Sequence, residues 1–569
     1  MKKINRLTLV LTLMAAGLFA GCASDEEATR ENQKIALDGS HFKFTEVAYQ
    51  ADQAVTRAAA SVKPTTVDLG DGLEAEVSVT PDAPTGKTRA VDPISDGKYT
   101  ILAFDPTTHD LQGKLEGSVT GGVFTPDAGQ KLLLDPGTYD FTCFSEPVVY
   151  DEPNNRLVVN HFLTKNPMIG HVQATIADDD YEVAFNMEHK AIRVRFNITS
   201  DILSENTPID AYLKGGVPGP WYWMHDWYTA YSGVLNNAGN GDYTADVPLN
   251  FKTVAPVTTQ AGTTYTSDYV YMLPGIDGHD HISNYPIHFN AGTIGGASLV
   301  GKTVGVGTGF QWAINQSITI NVNVKGQLYL FEDGKARVLA GKGTHTPIGL
   351  VIQQKWEPTN QKGMACALEI IKKSVPPAYA WEDETKTLPS NPDHLNTTVY
   401  NGVHDGQNDM NGYNWTWDAN STKDHVVRGN EQEKYPAFYQ AGHYTPSNAT
   451  ITGANIGKWY MPAAGEVMKL FRLFGTATVP ANEPWRGYCN MAQTDIDKML
   501  AAFTKVNSGL LLQYQFLWTS TVCDAANTGG FGPYSPVSFC INGNGPGQIW
   551  WPTFQKTGAN FYILPFVHF

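Results

Sequence analysis

Cysteine is scarce in this 569-residue sequence, basic charge is outnumbered, and past the first residues no apolar run is long enough to cross a bilayer as a helix. Beyond Cys22 there are five cysteines: Cys143, Cys366, Cys489, Cys523 and Cys540. Their number is odd and their spacing fits no metal knuckle. Cys489, Cys523 and Cys540 offer one disulfide at most, so cross-links are not what holds the fold. Lysine and arginine together number 40 against 56 aspartates and glutamates, a net charge of −16. A phosphate-binding surface needs a basic stripe, and none is visible, so nucleic acid is not an expected partner. Long helical patterns are rare. Nucleophile elbow, zinc-protease helix and phosphate loop are all missing, and no cofactor, metal or catalytic residue is expected. His279-Asp280-His281 follows the turn residues Asp277-Gly278 and has no matching cluster elsewhere; it reads as a solvated loop rather than a metal site.

What is abundant is glycine, threonine, tyrosine and asparagine, the composition of an all-β secreted protein. The N-terminus fits that compartment. Lys2, Lys3 and Arg6 precede an apolar stretch over 7–19, which ends in small residues before Cys22. Leu18-Phe19-Ala20-Gly21-Cys22 resembles a lipobox, which makes Cys22 the expected lipidation site and outer-membrane lipid an early partner. Residues 1–21 are then the signal peptide. Ser24-Asp25-Glu26-Glu27 resembles an acidic surface-export signal.

The body of the chain alternates with the period of half-buried strands. Leu73, Ala75, Val77 and Val79 alternate with Glu74, Glu76 and Ser78, and a proline- and glycine-rich loop from 81 to 90 follows. Strands are expected near 41–47, at 99–104 and at 131–134, with a turn at Asp135-Pro136-Gly137. Ile192, Val194, Phe196 and Ile198 alternate with polar residues, as do Ile318, Ile320, Val322 and Val324. The aromatic run over 221–228 serves either as an adhesive patch or as packing against a sheet, with packing favoured. After Val324 the pattern becomes α+β. Asp333-Gly334 marks a hairpin turn. One amphipathic helix carries Val467, Leu470, Phe471 and Phe474 on one face, with Pro462 in its first turn. A second carries Ile496, Met499, Leu500 and Phe503, with Thr494 and Asp497 as its N-terminal cap. The chain closes in strands.

Several segments in order carry a resemblance. Asp68-Leu69-Gly70-Asp71-Gly72-Leu73, Thr88-Arg89-Ala90, Gly97-Lys98-Tyr99-Thr100-Ile101-Leu102-Ala103-Phe104, Leu134-Asp135-Pro136-Gly137-Thr138-Tyr139, His189-Lys190-Ala191-Ile192-Arg193-Val194 and Met272-Leu273-Pro274-Gly275 together resemble the fimbrillins, lipoprotein-derived subunits of type V pili. The resemblance implies two β-sandwich domains, at 90–205 and 206–324, behind a propeptide at 22–89 that includes a removable early strand. It also implies an arginine-specific cut, here after Arg89; Thr56-Arg57-Ala58 repeats the tripeptide and makes Arg57 the alternative. Residues 325–569 are similar to a C-type-lectin-like domain, on Ala380-Trp381, Trp459-Tyr460-Met461-Pro462 with Gly465-Glu466, and Leu517-Trp518-Thr519-Ser520-Thr521. The tryptophan-asparagine-aspartate triplet of calcium-dependent lectins is missing, and Asn482-Glu483-Pro484 precedes Trp485, so calcium-mediated sugar binding is not implied.

The expected fold class is therefore mainly β, two sandwiches followed by an α+β lectin-like domain. The expected function is a cell-surface pilus subunit with other subunits as partners through strand addition. Loss of the early strand would expose two sheet edges, which invite another chain's strand. A folded C-terminal domain, its last strand paired near its first, leaves no free tail to donate, which is the position of a tip adhesin. Its ligand would be a host or bacterial surface glycan or protein. Candidate ligand-binding residues are Trp415 and Trp417 in the asparagine- and glycine-rich run 408–420, and Trp550 and Trp551 after the flexible 542–547; the same residues serve equally as core. Two other classes remain open. A surface glycan-binding lipoprotein that never polymerises would not need the cleavable strand before Arg89. An enzyme on the related sulfatase-activating fold needs a close cysteine pair, for which only Cys523 and Cys540 offer themselves.

Overall fold

A computed structural model of the chain describes residues 34–49, 64–82, 94–160, 162–178, 181–215, 223–240, 246–273, 285–306, 313–372, 378–383, 394–481, 486–506, 512–524, 534–542, 547–556 and 559–569. Strand dominates throughout, and the chain is mainly β.

The first region is built on a seven-stranded sheet whose two faces are both covered. One face packs Ile101, Ala103, Phe141 and Cys143 against Ile35, Leu37, Leu115 and Phe124. The opposite face packs Leu102, Phe104 and Phe144 against Leu157, Val159 and Tyr228 of a second, four-stranded sheet. Burial on both faces makes Gly137–Ser145 almost continuously buried where simple alternation was expected. The described part of the aromatic run lies in that second sheet: Trp223–Thr229 pairs with Arg156–Asn160 on one side and Leu235–Asn240 on the other. Its described half is packing, with the Arg156 guanidinium 4.2 Å from the Trp227 ring.

The chain changes sheets at Lys190–Ala191. Val183–His189 belongs to the seven-stranded sheet, whereas Ile192–Ser200 is a central strand of the next one. The change of sheet thus comes ahead of residue 205 in the chain. In the second sandwich Ile192–Ser200 runs parallel to Ser317–Gly326, and both face a smaller sheet of Val247–Leu249, Asp210–Leu213, Ile287–Ala291 and Thr303–Val304. The inward residues are those alternation selects: Val194, Phe196, Ile198, Ile320, Val322 and Val324 are all fully buried.

Ser317–Gly326 passes through Gln327 directly into Leu328–Phe331, the first strand of the C-terminal region. Gln354 locks the junction, accepting from the Leu203 amide at 2.8 Å and donating to the Asp201 carbonyl at 2.7 Å. The apolar core runs without a break from the second sandwich into the C-terminal region. There, a six-stranded sheet and a four-stranded sheet surround helices Ala464–Phe474 and Gln493–Thr504. The hairpin expected at Asp333-Gly334 joins Leu328–Phe331 to Ala336–Val338. Both long helices form, but their starts differ from expectation. Pro462 precedes the N-cap Ala463, and Glu466 closes the first turn by accepting from the Ala463 amide at 2.8 Å. Thr494 lies inside the second helix, whose N-cap is Ala492. All five described cysteines are buried and free, so the single disulfide allowed for Cys489, Cys523 and Cys540 is not formed.

Candidate functional site

The early strand, Leu73–Pro81, lies between Thr65–Gly70 and Ser317–Gly326. Three consecutive left-handed residues, Gly70, Asp71 and Gly72 at φ 71°, 59° and 80°, form the turn that starts it, a conformation for which glycine is the natural choice. The Lys302 ammonium clamps that turn, 2.6 Å from the Leu69 carbonyl and 2.7 Å from the Asp71 carboxylate. The pairing with Ser317–Gly326 is antiparallel over nine residue pairs, from Leu73 opposite Gly326 to Pro81 opposite Ile318. Leu73, Ala75 and Val77 point into the core, while Glu74 is exposed and Glu76 meets Lys325 at 2.6 Å.

Beyond Pro81 the strand is fastened by one carboxylate. Asp82 lies over the far end of the neighbouring strands, its side chain only 10 % exposed. It accepts from the hydroxyls of Ser317 at 2.6 Å and Tyr269 at 2.7 Å, from the Thr319 hydroxyl, and from the Arg195 guanidinium at 3.3 Å. Two of those hydroxyls are themselves held by arginines: Arg193 Nε donates to Ser317 Oγ at 2.6 Å and Arg195 Nε to Thr319 Oγ1 at 2.9 Å. Burial raises the Asp82 carboxyl, but the hydroxyls of Ser317, Thr319 and Tyr269 and the Arg195 charge outweigh it and hold the group below the ordinary carboxylate value. No pattern in the sequence announces this anchor. Asp82 sits among breaker residues, and its four partners lie more than a hundred residues downstream.

Residues 34–49 belong to the first region. Ile35–Leu37 pairs with Leu132–Leu134, and Phe42–Glu46 lies parallel to Val183–His189 at the edge of the seven-stranded sheet. Phe44 stacks on Phe185 at 5.6 Å, and Tyr49 stacks on His189 at 3.7 Å and under the Arg193 guanidinium at 3.9 Å. Cys22, Arg57 and Arg89 lie outside the described residues. Their positions in sequence still separate the two cuts. A cut after Arg57 severs only residues 34–49; a cut after Arg89 severs the early strand and its neighbour Thr65–Gly70 as well. The two edges left by the second cut belong to different sheets, Ser317–Gly326 in one and Val183–His189 in the other. They are not the two edges of one sandwich.

The C-terminal tryptophans divide. Trp415 is buried in the short helix Gly412–Trp417, its indole N–H 2.9 Å from the Asp409 carboxylate, which also accepts from Thr521 at 2.7 Å. Trp551 is fully buried in the strand Gln548–Pro552 beside Phe471 and Phe539. Neither is an exposed anchor. The runs read as loops are a helix and a strand, and each places one of its tryptophans inward. Trp417 and Trp550 keep part of their surface. Trp417 lies against Gly429 and Gly442, donates to the Trp459 carbonyl at 2.8 Å, and has the Lys458 ammonium 4.3 Å from its ring. Trp550 packs 5.2 Å from Phe516.

The closing strand Phe566–His568 is not an edge. It pairs with Met364–Ala367 on one side and Trp459–Tyr460 on the other. Trp381 and Trp518 tie the segment at 379–381 to the strand Phe516–Cys523, donating to the carbonyls of Thr519 at 3.0 Å and Tyr379 at 2.8 Å. Cys523 and Cys540 sit at opposite ends of one antiparallel pair, opposite Ser535 and Phe516. They are not a close dithiol. His279, Asp280 and His281 lie outside the described residues. Glu332, Asp333 and His345 do converge, but their charges are already met. Arg337 grips Asp333 in a fork at 3.0 and 2.7 Å, while His345 and the Thr346 amide bond Glu332 at 2.9 and 2.7 Å.

No family model matches this chain, and no curated protein matches it. Among solved structures it is similar to a putative cell adhesion protein of Bacteroides fragilis, 15% identical, over 50% of this chain and 93% of that one, at a TM-score of 0.30. It is similar to a fimbrial protein of Bacteroides ovatus, 10% identical, over 95% of this chain and 100% of that one, at a TM-score of 0.27. A putative cell adhesion protein of Bacteroides uniformis gives 13% identity over 52% and 99%, at a TM-score of 0.24. Likenesses at TM-scores this low carry no argument about mechanism.

Proposed function

We propose that this protein is a cell-surface pilus adhesin whose early strand is cut away and replaced by a strand of another subunit. The observation that carries the reading is the setting of Leu73–Pro81: a nine-pair ladder on a central strand and inward side chains completing a core, with Arg89 eight residues after it in sequence. Removing it opens a groove with unpaired backbone groups on one wall and apolar side chains on its floor, a template for strand addition. Backbone ladders supply affinity to any extended segment; the floor selects small or branched side chains at alternate positions. The opposite end of the molecule supports the tip position. The strand Phe566–His568 is enclosed by two neighbours, so it is a member of a folded sheet rather than an unpaired segment free to be donated. Cys22 acylation anchors the precursor until the cut, and the C-terminal domain carries the adhesion, with Trp417 and Trp550 as the remaining aromatic candidates. Sequencing the N-terminus of the fibre-bound protein tests the reading: Ala90 is expected. Recovery of acylated Cys22 on assembled fibres would sink it, whereas Ala58 would leave the early strand in place and restrict exchange to the edge at Val183–His189.

A further inference from the structure

The groove has a chemical requirement that its backbone ladder does not express. When residues up to Arg89 leave, Asp82 leaves with them, and so do Glu46 and Tyr49. What remains beside the far end of Ser317–Gly326 is a set of donors that have lost the carboxylate they shared. Arg195 and Tyr269 lose the carboxylate they bonded. Ser317 and Thr319, each already accepting from an arginine Nε, keep a hydroxyl proton that was directed to Asp82. Arg193 loses the Tyr49 ring that covered it at 3.9 Å and keeps the Tyr269 ring at 4.7 Å and its bond to Ser317. Two guanidinium groups on one strand are left without the carboxylate that Arg195 bonded directly and Arg193 reached through Ser317. A half-buried positive site of this kind repels a cation, and it leaves a neutral amide both short of one acceptor oxygen and placing its own N–H groups against other donors.

We infer that the strand which fills this groove comes from another protein chain and carries an aspartate side chain at the position Asp82 now holds, one residue past the end of its ladder, with small or branched apolar residues at the positions of Leu73, Ala75 and Val77. This rests on the strand-exchange reading and adds a partner chemistry to it. The apolar residues fix which face turns inward; the carboxylate fixes how far the strand slides, because a shift of two residues preserves the faces and moves the acid out of reach of all four donors. Aspartate is the acid of matching length, since the present carboxylate reaches its donors at hydrogen-bond distance through a single methylene.

The test uses the full chain cut in place after Arg89 and incubated with a large excess of fluorescent peptides spanning residues 64–85. The peptides are amidated, so that no terminal carboxylate stands in for the side chain. Uptake of the native peptide and at least about ten-fold weaker uptake of its Asp82→Asn form is the expected result, read by fluorescence anisotropy. On chains carrying Arg195→Ala, or Thr319→Val should the first not fold, the two peptides should converge. Equal uptake of the two peptides by the native chain overturns the inference and leaves strand exchange standing. Uptake of neither peptide overturns both.

Discussion

Everything proposed for the early strand depends on its register, and a single substitution interrogates that register. Leu73 is fully buried, and its Cδ2 lies 2.9 Å from where a Cβ would stand on Gly326. Because the facing residue is a glycine, no side chain there can move in when Leu73 is truncated. Leu73→Ala should therefore fall toward the middle of the range for buried leucines, about 3 kcal/mol. In the uncut chain this is a loss of stability; in the chain cut after Arg89 it becomes a loss of grip. At about 1.4 kcal/mol per factor of ten, the severed fragment should be held on the order of a hundred-fold less tightly. Glu74, the next residue, faces solvent, and Glu74→Ala should change retention by less than about 0.5 kcal/mol. Fragment retention is measured by size-exclusion chromatography across a dilution series after cleavage. A one-residue slip exchanges the two faces of the strand. If Glu74→Ala released the fragment as readily as Leu73→Ala, the ladder described here would be wrong, and with it the groove.

Other perturbations give equally definite expectations. Cys22→Ser should leave the folded regions intact and move the protein out of the membrane fraction; unchanged partition into detergent would refute lipidation at Cys22. Trp415→Ala and Trp551→Ala should each cost about 3–5 kcal/mol, seen as a lowered melting temperature, because both rings are core. Trp417→Ala and Trp550→Ala should cost less, and it is these two that should weaken adhesion of whole cells if the aromatic candidates bind. Asp226 is buried and its carboxyl is pushed up from 3.8 to about 7, chiefly by burial. A raised acid takes up its proton more readily in the folded state, so its cost is absent below about pH 4, grows as the pH climbs to about 7, and is complete above that. Asp226→Asn should accordingly stabilise the protein at pH 8 and change it little at pH 4, which pH-resolved thermal melts would reveal; equal effects at both would refute the assignment.

The strands legible in the sequence were those with one face buried by a single partner. Leu73–Pro81, Ile192–Ser200 and Ser317–Gly326 alternate because one side meets core and the other does not. Gly137–Ser145 was legible only in part, since a second sheet covers its outer face and erases the alternation. The helix Ala464–Phe474 was visible from its period, but its start was set by Glu466 folding back to the Ala463 amide, which no periodicity announces. The tryptophans were the least legible. Side-chain type marked all four as candidates, yet Trp415 is inward because Asp409 lies six residues before it to receive its N–H, and Trp551 because its strand pairs with Arg486–Asn490. Asp82 was missed for the same reason. Its role is written in Arg195, Tyr269, Ser317 and Thr319, none of which is its neighbour in sequence.

The strand that pairs with Leu73–Pro81 is also the tether of the C-terminal region, because Ser317–Gly326 runs through Gln327 straight into Leu328–Phe331. A pull on the C-terminal region, were it to carry the adhesion as proposed, arrives at the ladder through its Gly326 end, with no slack linker to absorb it. An inserted strand whose own chain continues past the Ser317 end would be loaded lengthwise, and the nine pairs would resist together in shear. One whose chain continues past the Gly326 end would be peeled open a pair at a time, at far lower force. The direction in which a partner threads the groove therefore sets how hard the joint can be pulled, though it alters none of the joint's contacts.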